Sequence, residues 1–197
     1  MNDLDGLVVV GTGKAEAPQP GMFEARIRST VRYADSSAWT TATAVAIAVK
    51  DLCSSLTEFC HETGMVVVSD DGPRATMAEV EAQGATGFSS PLRYAASSPG
   101  TLVGVSCIAF GFRGPTLNLT MAPEDGLPLA LAMCSAWLSR NVVRFMVLAT
   151  FRAGASSPPS GRAVVLAPAG LGLSGSPLTT ARMDWLAGCL PTEHVRS

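Results

Sequence analysis

Short, continuously apolar runs separated by polar or glycine-containing turns recur along the chain and predict buried β-strands. Five such runs occupy residues 7–11, 65–68, 116–121, 144–149 and 163–166. Strands without polar alternation are typical of a mostly parallel sheet that is covered on both faces. Only the short polar stretch 155–161 separates the last two runs, so these two strands are predicted to pair antiparallel.

Between the strands, apolar residues recur at steps of three and four, the spacing of one helix face. The longest predicted helix runs from Ser37 to His61 and ends before Gly64; its apolar face comprises Val45, Val49, Leu52, Leu56 and Phe59. Further helices are predicted at about 75–83, 99–110 and 125–140, the last of them capped by Asp125. Segment 84–99 shows no period and is predicted to be a long functional loop.

The alternation of strands and helices predicts the order β-α-β-α-β-α-β-β. We expect an α/β architecture with a five-stranded mixed, mostly parallel sheet and helices on both faces. A chain of 197 residues suits one domain. The predicted domain covers residues 1–170, and residues 171–197 form a C-terminal tail whose order the pattern leaves open.

Composition narrows the functional classes. Hydrophobic residues make up 47% of the chain and charged residues 15%, which argues against disorder and against a nucleic-acid surface. The net charge of −2 indicates nothing about partners. The start of the chain is not basic, and no run of about 20 apolar residues would span a membrane. We therefore expect a soluble, cytoplasmic protein, and the excess of arginine over lysine with abundant alanine is typical of GC-rich bacteria.

The residues that most often carry chemistry show no recognisable arrangement. The cysteines are odd in number and lack metal-ligand spacing, so we predict reduced, structural thiols and neither a metal nor a cofactor. They are Cys53, Cys60, Cys107, Cys134 and Cys189. His61 and His194 are predicted to be surface residues rather than general bases.

One stretch, SSPLRYAASSPGTLVGVSCIAFGFRGPTLNLT, carries a Gly-x-Arg-Gly-Pro turn at residues 111–115. From about Phe88 to Arg140 it resembles the β-ketoacyl synthase family, whose proteins are thiolase-like. LVVVGTG, MVVVSDDG and GRAVVLAP match the family's N-terminal half in order. Each subunit of that family consists of two duplicated β-α-β-α-β-α-β-β halves, so the resemblance implies that this chain corresponds to the N-terminal half only.

The resemblance also locates the family's nucleophile. Its catalytic cysteine heads the helix after the third strand, and this position falls on Pro123, which supplies no nucleophile and no backbone donor. The flanking Glu124 and Asp125 would raise the pKa of a thiol there. Cys134 lies about three turns further along. The chain is therefore predicted to have no catalytic residue, like the chain-length factors that lack the cysteine and pair with a competent ketosynthase.

In the family, the third strand pairs with its twin across a dimer. The resemblance thus implies an interface at Thr116, Leu117, Asn118, Leu119 and Thr120, against the alternative that this is an ordinary internal strand. Leu92 and Tyr94 occupy the place where ketosynthase dimers line each other's acyl pocket; the alternative is that they only pack their loop. Arg26, Arg28 and Arg32 would suit an acidic acyl carrier protein or form a solvated basic face.

We predict a non-catalytic subunit that forms a heterodimer with a catalytic β-ketoacyl synthase in polyketide or fatty-acid-type biosynthesis. It would stabilise that enzyme and shape its acyl pocket, with an acyl carrier protein as a further partner. One alternative is a stand-alone homodimeric acyl-thioester enzyme that uses Cys107, Cys134 or Glu124. The other is a scaffold or regulatory interaction protein.

Overall fold

A computed structural model describes residues 6–52, 60–87, 90–153 and 158–188. The strands are β1 (Leu7–Ala15), β2 (Thr63–Val68), β3 (Thr116–Leu119), β4 (Phe145–Arg152), β5 (Ser160–Pro168) and β6 (Ser176–Pro177). The α-helices in the described ranges are α1 (Ala25–Thr30), α2 (Ser36–Val49), α3 (Arg74–Ala85), α4 (Pro91–Ala96), α5 (Thr101–Phe110), α6 (Pro123–Ser139) and α7 (Thr180–Ala187). Single 3-10 turns lie at Pro20–Met22, Lys50–Leu52, Cys60–Glu62 and Ala169–Leu171.

The strands form one mixed sheet in the order β3-β2-β4-β5-β1-β6. β2 pairs in parallel with β3 and β4, whereas β5 pairs antiparallel with β4 and β1. The predicted α/β class and the antiparallel pairing of the fourth and fifth strands are confirmed. The predicted count of five strands is wrong, because β6 adds a sixth strand whose two residues are too few to produce an apolar run.

Helices cover both faces of the sheet, as predicted. The strand residues alternate between the two sides: on β4, Val147 and Ala149 belong to the core under α2 and α5, whereas Met146 and Leu148 belong to the core under α6 and α7. All four of these side chains are fully buried. The two apolar layers explain why the strand sequences are continuously hydrophobic.

Several helix boundaries differ from the predicted ones. α2 ends at Val49 and passes into a 3-10 turn rather than continuing to His61, and the predicted face residues Leu56 and Phe59 lie outside the described residues. The predicted loop 84–99 contains helix α4, which begins with a proline and is too short to show a period. α5 stops at Gly111, with φ 72°, as predicted.

The C-terminal tail is partly packed. α7 buries Trp185 and Leu186 against the same face of the sheet as α6. Cys189 and His194 lie outside the described residues. Within the described ranges, no helix combines the length and the apolar character that crossing a membrane requires.

Asp35 connects two helices by hydrogen bonds. Its carboxylate caps α2 by accepting from the Ser37 N–H at 2.7 Å, and it accepts from Thr76 of α3 through the N–H at 3.1 Å and the hydroxyl at 2.8 Å. Burial raises the pKa of Asp35, but the hydrogen bonds from Ser37 and Thr76 together lower it by more than burial raises it. The net pKa therefore lies below the usual value. The ionised carboxylate therefore stabilises the fold.

We expect Asp35→Ala to lower the free energy of unfolding by about 3 kcal/mol, because it removes a helix cap and leaves buried donors unsatisfied. Because the folded pKa of Asp35 is depressed, its contribution is present above the unfolded pKa and is lost as the pH falls through the folded pKa. Urea unfolding at several pH values measures this difference. Exposed Asp70→Ala is the control, and an equal effect of both variants would contradict the assigned role of Asp35.

Candidate functional site

The start of α6 lies at the carboxyl edge of the parallel strands, where open α/β sheets bind their ligands. Pro123 is the first residue of the helix and is buried, and Ala122 precedes it without a side-chain cap. Gly126 fixes the approach of the helix, because a Cβ there would lie 2.4 Å from Val68 Cγ1. Asp125 was predicted to cap this helix, but it lies within the first turn. The helix begins two residues earlier at Pro123, whose ring presets the helical φ.

Glu124 is held as a structural anion at this helix start. It forms an ion pair with Arg152 at the end of β4, and Arg152 Nη1 also donates to the carbonyl oxygen of Ala187 at 2.9 Å. Partial burial raises the pKa of Glu124, but its own N–H and Arg152 lower it more, so the net pKa lies below the usual value. This carboxylate stays ionised at neutral pH and is poorly suited to be a general acid.

The thiols of Cys107 and Cys134 are not activated. Burial raises the pKa of Cys107 to about 11, and it raises the pKa of Cys134 to about 12, although a backbone hydrogen bond acts in the opposite direction on Cys134. Because the thiolate is the nucleophile, both groups are almost entirely in the unreactive form near pH 7. Cys53 and Cys189 lie outside the described residues. In the ranges the structure covers, no group of three His, Cys, Asp or Glu side chains is placed to hold a metal ion.

β3 presents an open edge of the sheet. The Leu119 carbonyl accepts from the Ser69 N–H on the β2 side at 3.0 Å. Because backbone groups alternate in direction along a strand, Leu117 and Leu119 bond to β2, and the N–H and C=O groups of Thr116, Asn118 and Thr120 point away from the sheet. Asn118 Oδ1 is shielded from solvent and accepts no hydrogen bond from the described residues. Among the described residues, no further strand pairs with this edge.

The described residues also leave one apolar face of α6 uncovered. Its inner side packs on the sheet through Leu127, Ala130 and Leu131, but Leu129 on its outer side is 48% exposed. Small residues follow on the outer side and line a groove of about 510 Å³; they include Ala132, Ser135, Ala136 and Ser139. Exposed apolar surface costs roughly 25 cal/mol per Å², so this face favours a covered state.

Leu92 and Tyr94 lie on α4 and are 51% and 69% exposed. Leu92 lines a groove of about 370 Å³ between α1, α4 and α5, together with Tyr33 and Ile108, whereas Tyr94 is not among the lining residues. The sequence analysis did not single out Ile108 as a groove residue. Its position off the buried stripe of α5 was the available indication that its side chain is exposed. Of the two residues that the resemblance grouped as pocket lining, only Leu92 therefore lines this groove.

The arginines near α1 are exposed. Arg26 and Arg28 lie on the helix, and Arg32 follows it with its guanidinium 4.7 Å from the centroid of the Tyr33 ring. This places Arg32 at the edge of the groove that Tyr33 and Leu92 line. The acidic carrier protein and the solvated basic face both remain compatible with this placement.

No family model matches the sequence, and no curated protein matches it. Solved structures with a similar fold are ketosynthases and their complexes. The ishigamide ketosynthase/chain length factor matches with a TM-score of 0.65 and 12% identity over 84% of this chain and 63% of that chain. A type II polyketide synthase acyl-carrier protein in complex with its ketosynthase matches with a TM-score of 0.66 and 15% identity over the same shares of 84% and 63%.

A third match differs in its extent. A ketosynthase in complex with its chain length factor, from Xenorhabdus doucetiae, matches with a TM-score of 0.58 and 15% identity over 93% of this chain and 90% of the matched chain. The chain thus spans less than two thirds of the first two matched chains but almost all of the third. Together the matches show that this chain has the ketosynthase fold, at about half of the usual thiolase-like size.

Proposed function

We propose that this chain is a non-catalytic ketosynthase-like subunit that pairs with a catalytic β-ketoacyl synthase, comparable to a chain length factor. The observation that carries the proposal is the start of α6, where Pro123 stands at the position that the resemblance assigns to the nucleophile and Glu124 forms an ion pair with Arg152. A thiolate-based condensation needs a low-pKa cysteine at such a helix start, whereas Cys107 and Cys134 lie elsewhere and have raised pKa values.

The uncovered surfaces support a partner. The outward backbone groups of β3 and the unsatisfied Asn118 Oδ1 suit strand pairing, and the exposed side of α6 suits contact with an apolar surface. Two of the structures that share this fold contain, respectively, a chain length factor with its ketosynthase and a carrier protein with its ketosynthase. We therefore infer a heterodimer in polyketide or fatty-acid-type biosynthesis, which an acyl carrier protein would serve.

In this heterodimer, Leu92 and its neighbour Ile108 are the residues that we place nearest to the partner's acyl pocket. Both are large, exposed and apolar, and both line the groove beside α5. Reducing their size would lengthen a pocket that they close. Tyr94 belongs to the same helix as Leu92 but does not line the groove. Substituting Tyr94 therefore tests whether the whole α4 surface or only the groove affects product length.

Co-expression with the ketosynthase encoded nearest to this chain tests the proposal. We expect a 1:1 complex by light scattering, and the purified complex extends acyl chains while this chain alone does not. We also expect Leu92→Ala to shift the products to longer chains and Tyr94→Ala to leave them unchanged if only the groove matters. A stable homo-oligomer that hydrolyses acyl thioesters would favour the stand-alone enzyme. A complex whose product chain length does not change when Leu92 and Ile108 are substituted would favour the scaffold.

A further inference from the structure

Two glycines form the floor of the groove between α1, α4 and α5. Gly100, Gly104 and Ile108 follow one another at steps of four, so they share one face of α5 over about 12 Å. A Cβ at Gly104 would meet nothing within 4 Å, and a Cβ at Gly100 would meet only Ser98 Oγ at 3.6 Å. The glycines therefore open a groove of about 370 Å³, which lies within the size range of small-molecule sites.

The lining of this groove is apolar and offers few hydrogen-bond donors. Its described lining residues include no charged side chain, and four of them have a hydroxyl group. Two of these hydroxyls already donate to backbone carbonyls, Thr30 to Arg26 at 2.9 Å and Thr101 to Ser98 at 2.8 Å. The hydroxyls of Tyr33 and Ser98 remain available. Because burying an oxygen acceptor without a donor is unfavourable, the groove suits a hydrocarbon chain better than a chain with oxygen on every second carbon.

The α1 side of the groove is cationic. Arg32 has its guanidinium 4.7 Å from the centroid of the Tyr33 ring, and Tyr33 lines the groove. Arg26 lies one helical turn before Thr30, which is another lining residue, on the same face of α1. Among the described residues, none of the ion pairs involves either arginine. An anionic group at one end of a hydrocarbon chain would complement this charge.

We propose that this groove binds the unoxygenated hydrocarbon chain of a fatty-acid-type ligand, with the anionic end of the ligand on the α1 side. The proposal rests on the proposed function for the source of the chain, because that function places Leu92 and Ile108 beside an acyl pocket. In the heterodimer the groove would select fatty-acid-type products over products with a keto group on every second carbon. The binding itself needs only this chain, so it is tested without a ketosynthase.

Methyl NMR tests the binding, because Ile27, Ile47 and Ile108 are the only isoleucines of the chain. The isoleucine δ1 methyl groups are labelled with ¹³C, and Ile108→Val assigns the Ile108 signal. The protein is titrated with decanoate and, separately, with 2-[2-(2-methoxyethoxy)ethoxy]acetate, whose chain has the same number of atoms but contains three ether oxygens. We expect half-saturation of the Ile108 shift at a decanoate concentration at least tenfold lower than that of the ether. Ile47, where α2 packs over Gly13 of β1, is the internal control and should not shift.

Filling the floor of the groove separates binding there from binding elsewhere. Gly104→Leu places a side chain in open space, so the fold should persist while the half-saturating decanoate concentration rises at least tenfold. Gly84→Leu on α3 is the matched control, because a Cβ there also meets nothing within 4 Å and Gly84 does not line the groove. Arg32→Gln should weaken decanoate binding at least threefold, whereas Arg140→Gln at the end of α6 should not change it. Circular dichroism shows whether each variant is folded.

The result for the groove can be told apart from the result for the heterodimer. Equal half-saturating concentrations of decanoate and the ether, equal shifts of Ile47 and Ile108, or unchanged binding in a folded Gly104→Leu chain would each overturn the hydrocarbon site. The comparison of the two ligands needs no variant, so it decides the matter even if Gly104→Leu does not fold. Decanoate binding by a chain that forms no complex with a ketosynthase would support the groove and contradict the proposed function. A 1:1 complex whose Ile108 signal does not respond to decanoate in the free chain would do the reverse.

Discussion

Replacing Gly13 with alanine is expected to unfold the protein under conditions in which the unchanged chain is stable. Gly13 lies on β1 beneath α2, and a Cβ at this position would lie 2.0 Å from the carbonyl oxygen of Ala44 and 2.6 Å from the N of Ala48. Both are backbone atoms of α2, so no side-chain rotation relieves the overlap. The helix must move away from the sheet, which separates α2 from a core that is otherwise fully buried.

The expected loss is about 4 kcal/mol or more, a large fraction of the 5–15 kcal/mol that usually stabilises a domain. Urea unfolding followed by circular dichroism measures it. The matched control is Gly104→Ala on α5, where a Cβ would meet nothing within 4 Å and alanine should stabilise the helix by about 0.5–1 kcal/mol. If Gly13→Ala unfolded at the same urea concentration as the unchanged chain, the close contact between β1 and α2 would be wrong.

The same glycines show where pattern analysis of the sequence failed. The apolar run 7–11 correctly predicted a strand, but the strand was expected to end at Gly11 with a turn after it. In the structure β1 continues through Gly11 and Gly13 to Ala15. These two positions are glycines because α2 packs so closely over them that no larger residue fits. A glycine required by a neighbouring helix and a glycine required by a turn look the same in one sequence.

The candidate site was predictable only in part, for a related reason. The resemblance placed the nucleophile position at Pro123, and the structure places Pro123 at the start of α6. The ion pair between Glu124 and Arg152 joins residues 28 positions apart, and no local pattern links them.

Asn118→Pro is expected to prevent pairing with the ketosynthase while leaving the fold of this chain intact. Leu117 and Leu119 bond to β2, so the N–H of Asn118 points away from the sheet and proline at this position removes no backbone hydrogen bond between β3 and β2. It removes only the exposed side-chain bond from Asn118 to Thr120 Oγ1. A partner strand would lose that donor and meet the proline ring instead. We expect affinity to fall at least about 100-fold, or about 2.7 kcal/mol.

The affinity is measured by titrating the labelled ketosynthase with each variant, and circular dichroism shows whether this chain remains folded. Asn118→Thr is the matched control, because it keeps the backbone N–H and a side chain suited to a strand, so it should pair within a few-fold of the unchanged chain. An interface formed only by the outer face of α6 predicts no effect of proline at position 118, since that face lies on a different element from β3. A folded Asn118→Pro chain that binds normally would therefore remove β3 from the interface and assign pairing to α6.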